Sequence, residues 1–291
     1  MKSTPSSRMC ARLCAAIAAI LAAVGAIFGS LMLLVNYDAG VGYFKSNALT
    51  VIFTLFYVGG VIWLLLSAFI VKKDGLNTTP ASDKPNGVFE LIAAATVLAV
   101  SVIWGILYFV NGQSDTVAVA TVACGILSAF YFASFFFRAR KAVPTANVVA
   151  LLGFATVLWL ISIVAYMYFD NFVTMNSPIK TLLVFGLAAE MFATLADVRH
   201  LIGRQLPRYS LGAHSIALFC GCASSIPVII YGIISPLADP HYTAAAFAVL
   251  GLSALSGVRL YTIARGECSD SPDAFPEPTV DIQEETTEQC E

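Results

Sequence analysis

Residues 148–169 read VVALLGFATVLWLISIVAYMYF, 22 positions without one charged side chain. About 20 apolar residues, at a rise of 1.5 Å each, cross the roughly 30 Å hydrocarbon core of a bilayer. In hydrocarbon, every backbone N–H and C=O must be satisfied within its own helix or in a closed barrel, and no period-2 alternation supports a barrel. This stretch therefore predicts a transmembrane helix.

Seven further stretches meet the same length and polarity requirement, and polar or Gly/Pro-containing breaks separate them. The eight predicted spans cover residues 13–35, 48–71, 88–110, 116–137, 148–169, 180–198, 211–235 and 242–264. The sequence thus predicts an all-α fold, a polytopic bundle of eight transmembrane helices over residues 13–265 with short loops.

Composition supports a membrane class and excludes a soluble globular protein. Of the 291 residues, 58% are apolar and 12% are charged, and the mean hydropathy is +0.82. Soluble domains carry roughly 25% charged residues. Too few polar residues remain for a folded ectodomain or a catalytic cytosolic module.

The basic residues predict the orientation. Lys45 and Lys180 fall on one side of the alternating spans, and the other 14 of the 16 basic residues fall on the opposite side. By the positive-inside rule, both termini are cytosolic, with an even number of spans. The cytosolic set is Lys2, Arg8, Arg12, Lys72, Lys73, Lys84, Arg138, Arg140, Lys141, Arg199, Arg204, Arg208, Arg259 and Arg265.

The two ends of the chain carry separate expectations. Residues 1–12 form a basic cytosolic segment before an apolar run that is longer than the 7–15 residues of a signal peptide, so we expect an uncleaved anchor. A cleaved signal would instead leave seven spans and the same cytosolic C-terminus. Residues 266–291 hold nine acidic residues and no Lys or Arg, which predicts a disordered acidic cytosolic tail.

Glu190 is the most informative residue in the chain. It lies ten residues into the sixth span, about 15 Å from its start and so near the middle of the core. Glu190, Thr194 and Asp197 fall at i, i+4 and i+7, on one helix face. An intramembrane carboxyl is a functional candidate by default. The competing interpretation is a protonated Glu that only joins helices by hydrogen bonds.

Arg259 is the cationic counterpart, about 9 Å deeper than Arg265 on the last span. Asp197 lies at a comparable depth, so we expect these two side chains to pair between spans six and eight. The alternative is that Arg259 extends its guanidinium to lipid headgroups and needs no partner.

Span seven contains a proline deep in the membrane. Pro227 lacks an N–H and clashes with the carbonyl of Ala223, which predicts a kink or a break. Ser224 and Ser225 lie beside it, near the depth of Glu190. The pattern is found in membrane ion sites built on broken helices, and more often in ordinary kinked helices.

The remaining chemistry-bearing residues predict no metal, no cofactor and no enzymatic activity. Cys220 and Cys222 point some 200° apart on an intact helix, so both sulfurs cannot meet one ion near His214. The chain has no HExxH, GxSxG, Walker, GxGxxG or EF-hand motif.

Two functional classes therefore stay open for a protein of the plasma membrane. The first is a transporter of a small solute or ion, which the intramembrane polar residues favour. The second is a non-catalytic, membrane-embedded interaction or assembly partner, which the short loops and the acidic tail favour. The expected partners are the lipid bilayer, a small solute or ion and a protein that binds the tail, with no nucleic acid.

Overall fold

The computed structural model describes residues 5–71, 84–110, 116–138, 146–169, 173, 177–202, 206–235 and 239–265. Within these ranges, eight helices are long and apolar enough to cross a membrane, as in a multi-pass membrane protein. They are α1 (Pro5–Leu31), α2 (Ala48–Ile70), α3 (Lys84–Val110), α4 (Thr116–Arg138), α5 (Ala146–Phe169), α6 (Pro178–Leu201), α7 (Pro207–Ile234) and α8 (Pro240–Arg265).

The eight predicted spans are confirmed as helices, but most of the helices begin earlier than the apolar stretches do. Helices α6, α7 and α8 start at Pro178, Pro207 and Pro240. Proline suits the first helical turn because its missing N–H would have no intrahelical partner there. The apolar pattern misses these turns since they are polar or contain proline.

A short loop structure joins α1 to α2 and was not predicted. After Leu31 the helix widens into a π-helical turn, Met32–Asn36, which leads into the antiparallel strands β1 (Tyr37–Asp38) and β2 (Tyr43–Phe44). Asn36 donates to the hydroxyl of Thr50 at 2.7 Å and accepts from the Asn47 amide at 2.7 Å. These bonds tie the loop to the start of α2.

Helix α7 packs against α1, α2, α6 and α8, while α3 packs against α4 and α8, and α5 against α4 and α6. Two glycines of α1 permit the close approach of α1 to α7. A Cβ at Gly25 would lie 2.8 Å from the Cβ of Ala223, and one at Gly29 would lie 2.7 Å from Cγ of Pro227. Small residues let helix backbones approach in this way in lipid.

Helix α7 runs through Pro227 as one continuous helix, so the expected alternative of a break is wrong, whereas the alternative of a kink stays a prediction. Two kinds of contact surround the proline. The backbone of α1 lies against it at Gly29, and the hydroxyls of Ser224 and Ser225 both donate to the carbonyl of Gly221, at 3.1 and 2.6 Å. The expectation for the tail, residues 266–291, lies outside the described residues.

Candidate functional site

Helices α6 and α8 meet along two polar faces inside the bundle. The polar face of α6 consists of Glu190, Thr194 and Asp197, as the spacing predicts. The polar face of α8 consists of Ser253, Ser256 and Arg259. All six side chains are buried, and Glu190 is only 2% exposed. The side chains of the polar stripe of span six therefore face protein rather than lipid.

Arg259 lies between two carboxylates at the end of the bundle where α6 and α8 finish. Its Nη1 pairs with Oδ2 of Asp197, and its Nη2 lies 3.4 Å from Oε1 of Glu90 on α3. The guanidinium also stands 5.1 Å from the ring centre of Phe135 on α4. The expected contact with Asp197 is present, and burial between carboxylates excludes the alternative of an arginine extended to the headgroups.

Asp197 has a second partner, the imidazole of His214 on α7. The Nε2 atom of His214 lies 3.3 Å from Oδ1 of Asp197, and His214 is also buried. Four helices thus contribute one charged or titratable residue each to a connected group. We call Glu90, Asp197, His214 and Arg259 the ion cluster.

Sequence reasoning missed Glu90 and considered His214 only as a metal ligand. The depth argument that paired Arg259 with Asp197 could have found both. Glu90 is six residues, or about 9 Å, from the start of α3, and His214 is seven residues from the start of α7. Helices α3 and α7 begin at the side of the bundle where α6 and α8 end. Glu90 and His214 therefore lie at about the same depth in the bundle as Arg259.

Glu190 lies deeper than the ion cluster and bonds to hydroxyls instead of cations. Oε1 of Glu190 is 2.7 Å from Oγ of Ser253, and Oε2 accepts from Oγ of Ser256 at 3.2 Å. Among the described residues, no Lys, Arg or His forms an ion pair with this carboxyl. We call Glu190, Ser253 and Ser256 the Glu190 site.

A small cavity connects the Glu190 site to the ion cluster. Its volume is about 10 Å³, which is room for about one water molecule. The lining residues come from α4, α6 and α8 and are Phe132, Glu190, Ala193, Thr194, Asp197, Leu252, Leu255, Ser256 and Arg259. The structure thus joins four of the seven residues singled out from sequence, namely Glu190, Thr194, Asp197 and Arg259, around one small cavity.

The other three residues singled out from sequence are not part of the cavity. Ser224 and Ser225 are fully buried, but both hydroxyls bond to the backbone of their own helix, and Pro227 packs against α1. In the part of the chain that the structure describes, no group of three or more His, Cys, Asp or Glu residues is placed to hold a metal ion.

A second buried histidine lies at the opposite end of α8, apart from the cavity. Nδ1 of His241 is 2.9 Å from Oδ1 of Asp239, and the imidazole is surrounded by the rings of Trp104, Tyr108 and Tyr166, with ring centres 5.0–5.9 Å away. Aromatic packing and one carboxylate hold this histidine. It has no direct link to the ion cluster among the contacts of the described residues.

The chain matches no known protein family, no curated protein and no solved structure.

Proposed function

We propose that this protein is a membrane transporter that moves a small ion through the cavity between α6 and α8. The observation that carries the proposal is the charge of the buried site. Three carboxyls, those of Glu90, Asp197 and Glu190, face one guanidinium and one imidazole. With all three ionised and His214 neutral, two negative charges remain uncompensated. Buried charge without a partner is strongly unfavourable, so the site needs bound positive charge, either as protons or as a cation.

The position of the polar groups supports a path that is open towards one end of the bundle. Between Glu190 and the ends of α6 and α8, the cavity is lined by the polar residues Thr194, Asp197 and Arg259 together with apolar neighbours. In the other direction the same face of α6 carries Leu187 and Leu183, both 0% exposed. An intramembrane carboxyl that is reached from one side and sealed from the other suits alternating access.

The small size of the cavity favours an ion over a larger solute. A cavity with room for about one water molecule cannot hold a sugar or an amino acid in this conformation. Within the transporter class, the geometry therefore supports a proton or a small cation. No enzymatic activity is part of the proposal.

The proposal includes the location of the protein in the plasma membrane with both termini in the cytosol. With this topology, the ion cluster lies in the cytosolic half of the bilayer. Reporter fusions at Asn77, Asn147 and Gln205 should report the cytosol, and those at Gln113 and Met175 the exterior. A reversed signal at any one of these five positions contradicts the topology.

The test of transport uses the purified protein in liposomes that contain a pH-sensitive dye, with imposed proton and alkali-cation gradients. The wild type should dissipate at least one gradient, and Glu190→Gln should abolish this flux. Asp38→Asn is the matched control, because it neutralises a carboxyl of the β1–β2 hairpin, outside the cavity, and should retain full flux.

Two results overturn the transport proposal. One is equal flux from the wild type and Glu190→Gln, and the other is no flux from the wild type across the panel of gradients and solutes. Either result favours the second class, a membrane-embedded assembly partner in which the buried carboxyls only join helices.

A further inference from the structure

The hydrogen bonds around Ser253 identify the ion at the Glu190 site. Oγ of Ser253 lies 2.7 Å from Oε1 of Glu190 and also 2.7 Å from the carbonyl oxygen of Val249 in its own helix. Both distances are those of short O–H···O hydrogen bonds. A serine hydroxyl carries one hydrogen, and a backbone carbonyl can only accept.

If Glu190 is ionised, the two contacts of the Ser253 hydroxyl share a single hydrogen, although each contact needs one. Ser253 can donate to the carboxylate or to Val249, and the other oxygen then faces the hydroxyl oxygen without a hydrogen between them. A protonated Glu190 supplies the missing atom. Oε1–H donates to Ser253, Ser253 donates to Val249, and Ser256 donates to Oε2, so that each contact has one donor and one acceptor.

The packing around Glu190 leaves no space for a metal cation between these oxygens. A Cβ at Gly221 of α7 would lie 1.7 Å from Oγ of Ser253 and 3.0 Å from Oε1 of Glu190, so the backbone of α7 presses directly on the pair. An oxygen–oxygen distance of 2.7 Å holds a hydrogen, whereas two oxygens that share a metal ion lie farther apart. Between these two oxygens, the geometry favours a proton over a metal cation.

We propose that Glu190 binds an exchangeable proton and that the hydroxyl of Ser253 changes its hydrogen-bond acceptor when this proton binds or leaves. When the proton leaves Oε1 through the cavity to the aqueous phase, the Ser253 hydroxyl turns from Val249 to the carboxylate. The hydroxyl hydrogen of Ser253 then bonds to Glu190 instead of Val249. One proton is released, and Glu190 gains one negative charge. The role of this proton in transport rests on the proposed function, but its binding does not.

The titratable and charged groups near Glu190 come from four helices. They are Asp197 on α6, His214, Cys220 and Cys222 on α7, Arg259 on α8 and, beyond Arg259, Glu90 on α3. Glu90 and Asp197 contact Arg259, whereas no cation of the described residues is in direct contact with Glu190. A proton on Glu190 would therefore neutralise a charge that no direct ion pair neutralises.

The test is infrared spectroscopy of the full-length protein in liposomes, in D₂O, across a range of pH and with or without Na⁺ or K⁺. We expect a carbonyl band of a buried protonated carboxyl. Glu190→Gln should remove this band, Ser253→Ala should shift its frequency because the acceptor is lost, and the control Asp38→Asn should leave it unchanged.

Ser253→Ala keeps the test decisive if Glu190→Gln does not fold, because that variant retains the carboxyl. A band that Glu190→Gln leaves in place, or that Ser253→Ala does not move, overturns the inference. A band that Na⁺ or K⁺ removes at constant pH also overturns it, since the site would then take a metal cation. Protein that shows the proton band without flux overturns the transport proposal alone.

Discussion

Helices α2 and α8 distribute their side chains in opposite ways. In the most apolar stretch of α2, 22% of the residues are buried, against 61% for α8. Yet α2 is the more apolar helix, with Leu55 and Phe69 each 68% exposed, while α8 buries Ser253, Ser256 and Arg259. In a soluble protein the more apolar helix is usually the more buried. Here lipid is the solvent, so apolar residues face outward at no cost, and polar residues must find partners inside.

Helices α2 and α8 also differ in how strongly their side chains are constrained. Most side chains of α2 are exposed, so packing restricts the identity of its residues mainly along the stripe that contacts α7. On α8, in contrast, Ser253 and Ser256 contact Glu190 of α6, and Arg259 contacts Asp197 of α6 and Glu90 of α3. Substitutions of the buried polar residues of α8 should therefore be costly, and substitutions on the exposed face of α2 should not.

The largest effect is expected from Arg259→Met. This change leaves the carboxylates of Asp197 and Glu90 buried without a cation, which typically destabilises by about 3–5 kcal/mol. The free energy of unfolding in mixed detergent micelles measures the loss. Arg265→Met is the control, because Arg265 is exposed at the end of the same helix, and it should cost less than about 1 kcal/mol. Equal losses for the two variants would show that the buried pairs contribute nothing.

A charge exchange sharpens the same test. Asp197→Arg combined with Arg259→Asp should recover part of the stability that each single change removes. The recovery should be incomplete, because Glu90 and His214 then face charges opposite to those that they contact now. Single effects that simply add in the double variant would contradict the contact.

A smaller effect is expected where glycine lets α7 and α8 touch. Gly221→Ala places a Cβ 1.7 Å from Oγ of Ser253, so the helices must separate, and overpacking of this kind costs about 1–3 kcal/mol. Gly59→Ala on α2 meets nothing within 4 Å and should leave thermal stability unchanged or slightly raised. If Gly221→Ala is as stable as Gly59→Ala, the close packing of α7 on the Glu190 site is refuted.

Next in size is the loss of the hydrogen bonds of Glu190. Glu190→Leu removes its bonds to Ser253 and Ser256, and interhelical hydrogen bonds in membranes contribute about 0.6–2 kcal/mol. Glu190→Gln should lose less, because an amide resembles the protonated acid in shape and can still donate and accept. Thermal unfolding of both variants and of the wild type measures the order of their stabilities. A Gln variant less stable than the Leu variant would contradict a protonated Glu190.

The smallest effect is expected on the lipid face of α2. Leu55→Ala should change the free energy of unfolding by less than about 0.5 kcal/mol, since Leu55 contacts lipid whether or not the bundle is assembled. Leu64→Ala on the same helix is the reference, because Leu64 is 0% exposed and its cavity should cost about 2–5 kcal/mol. A loss at Leu55 as large as that at Leu64 would show that the outer face of α2 is covered by protein.

How much of the site could be predicted depends on whether a residue acts within its own helix or between helices. Glu190, Thr194 and Asp197 were predictable as one face, because helical periodicity alone aligns positions four and three apart. The pair of Arg259 and Asp197 was predictable from depth, since residues at equal depth on neighbouring spans can meet. Pro227 does not break its helix, because proline in a packed transmembrane helix does not have to interrupt the helix on both sides of it.

The sequence by itself determined the number of spanning helices and the face on which the polar residues of α6 lie. These features follow from lipid as solvent and from the helical repeat, and both act on consecutive residues. Only the tertiary structure decided that Glu90 and His214 join Asp197 and Arg259, that Ser224 and Ser225 do not, and that Ser253 links Glu190 to Val249. Those partners are distant in the chain, and the rotation and proximity of packed helices, which no single helix encodes, bring them within hydrogen-bonding distance.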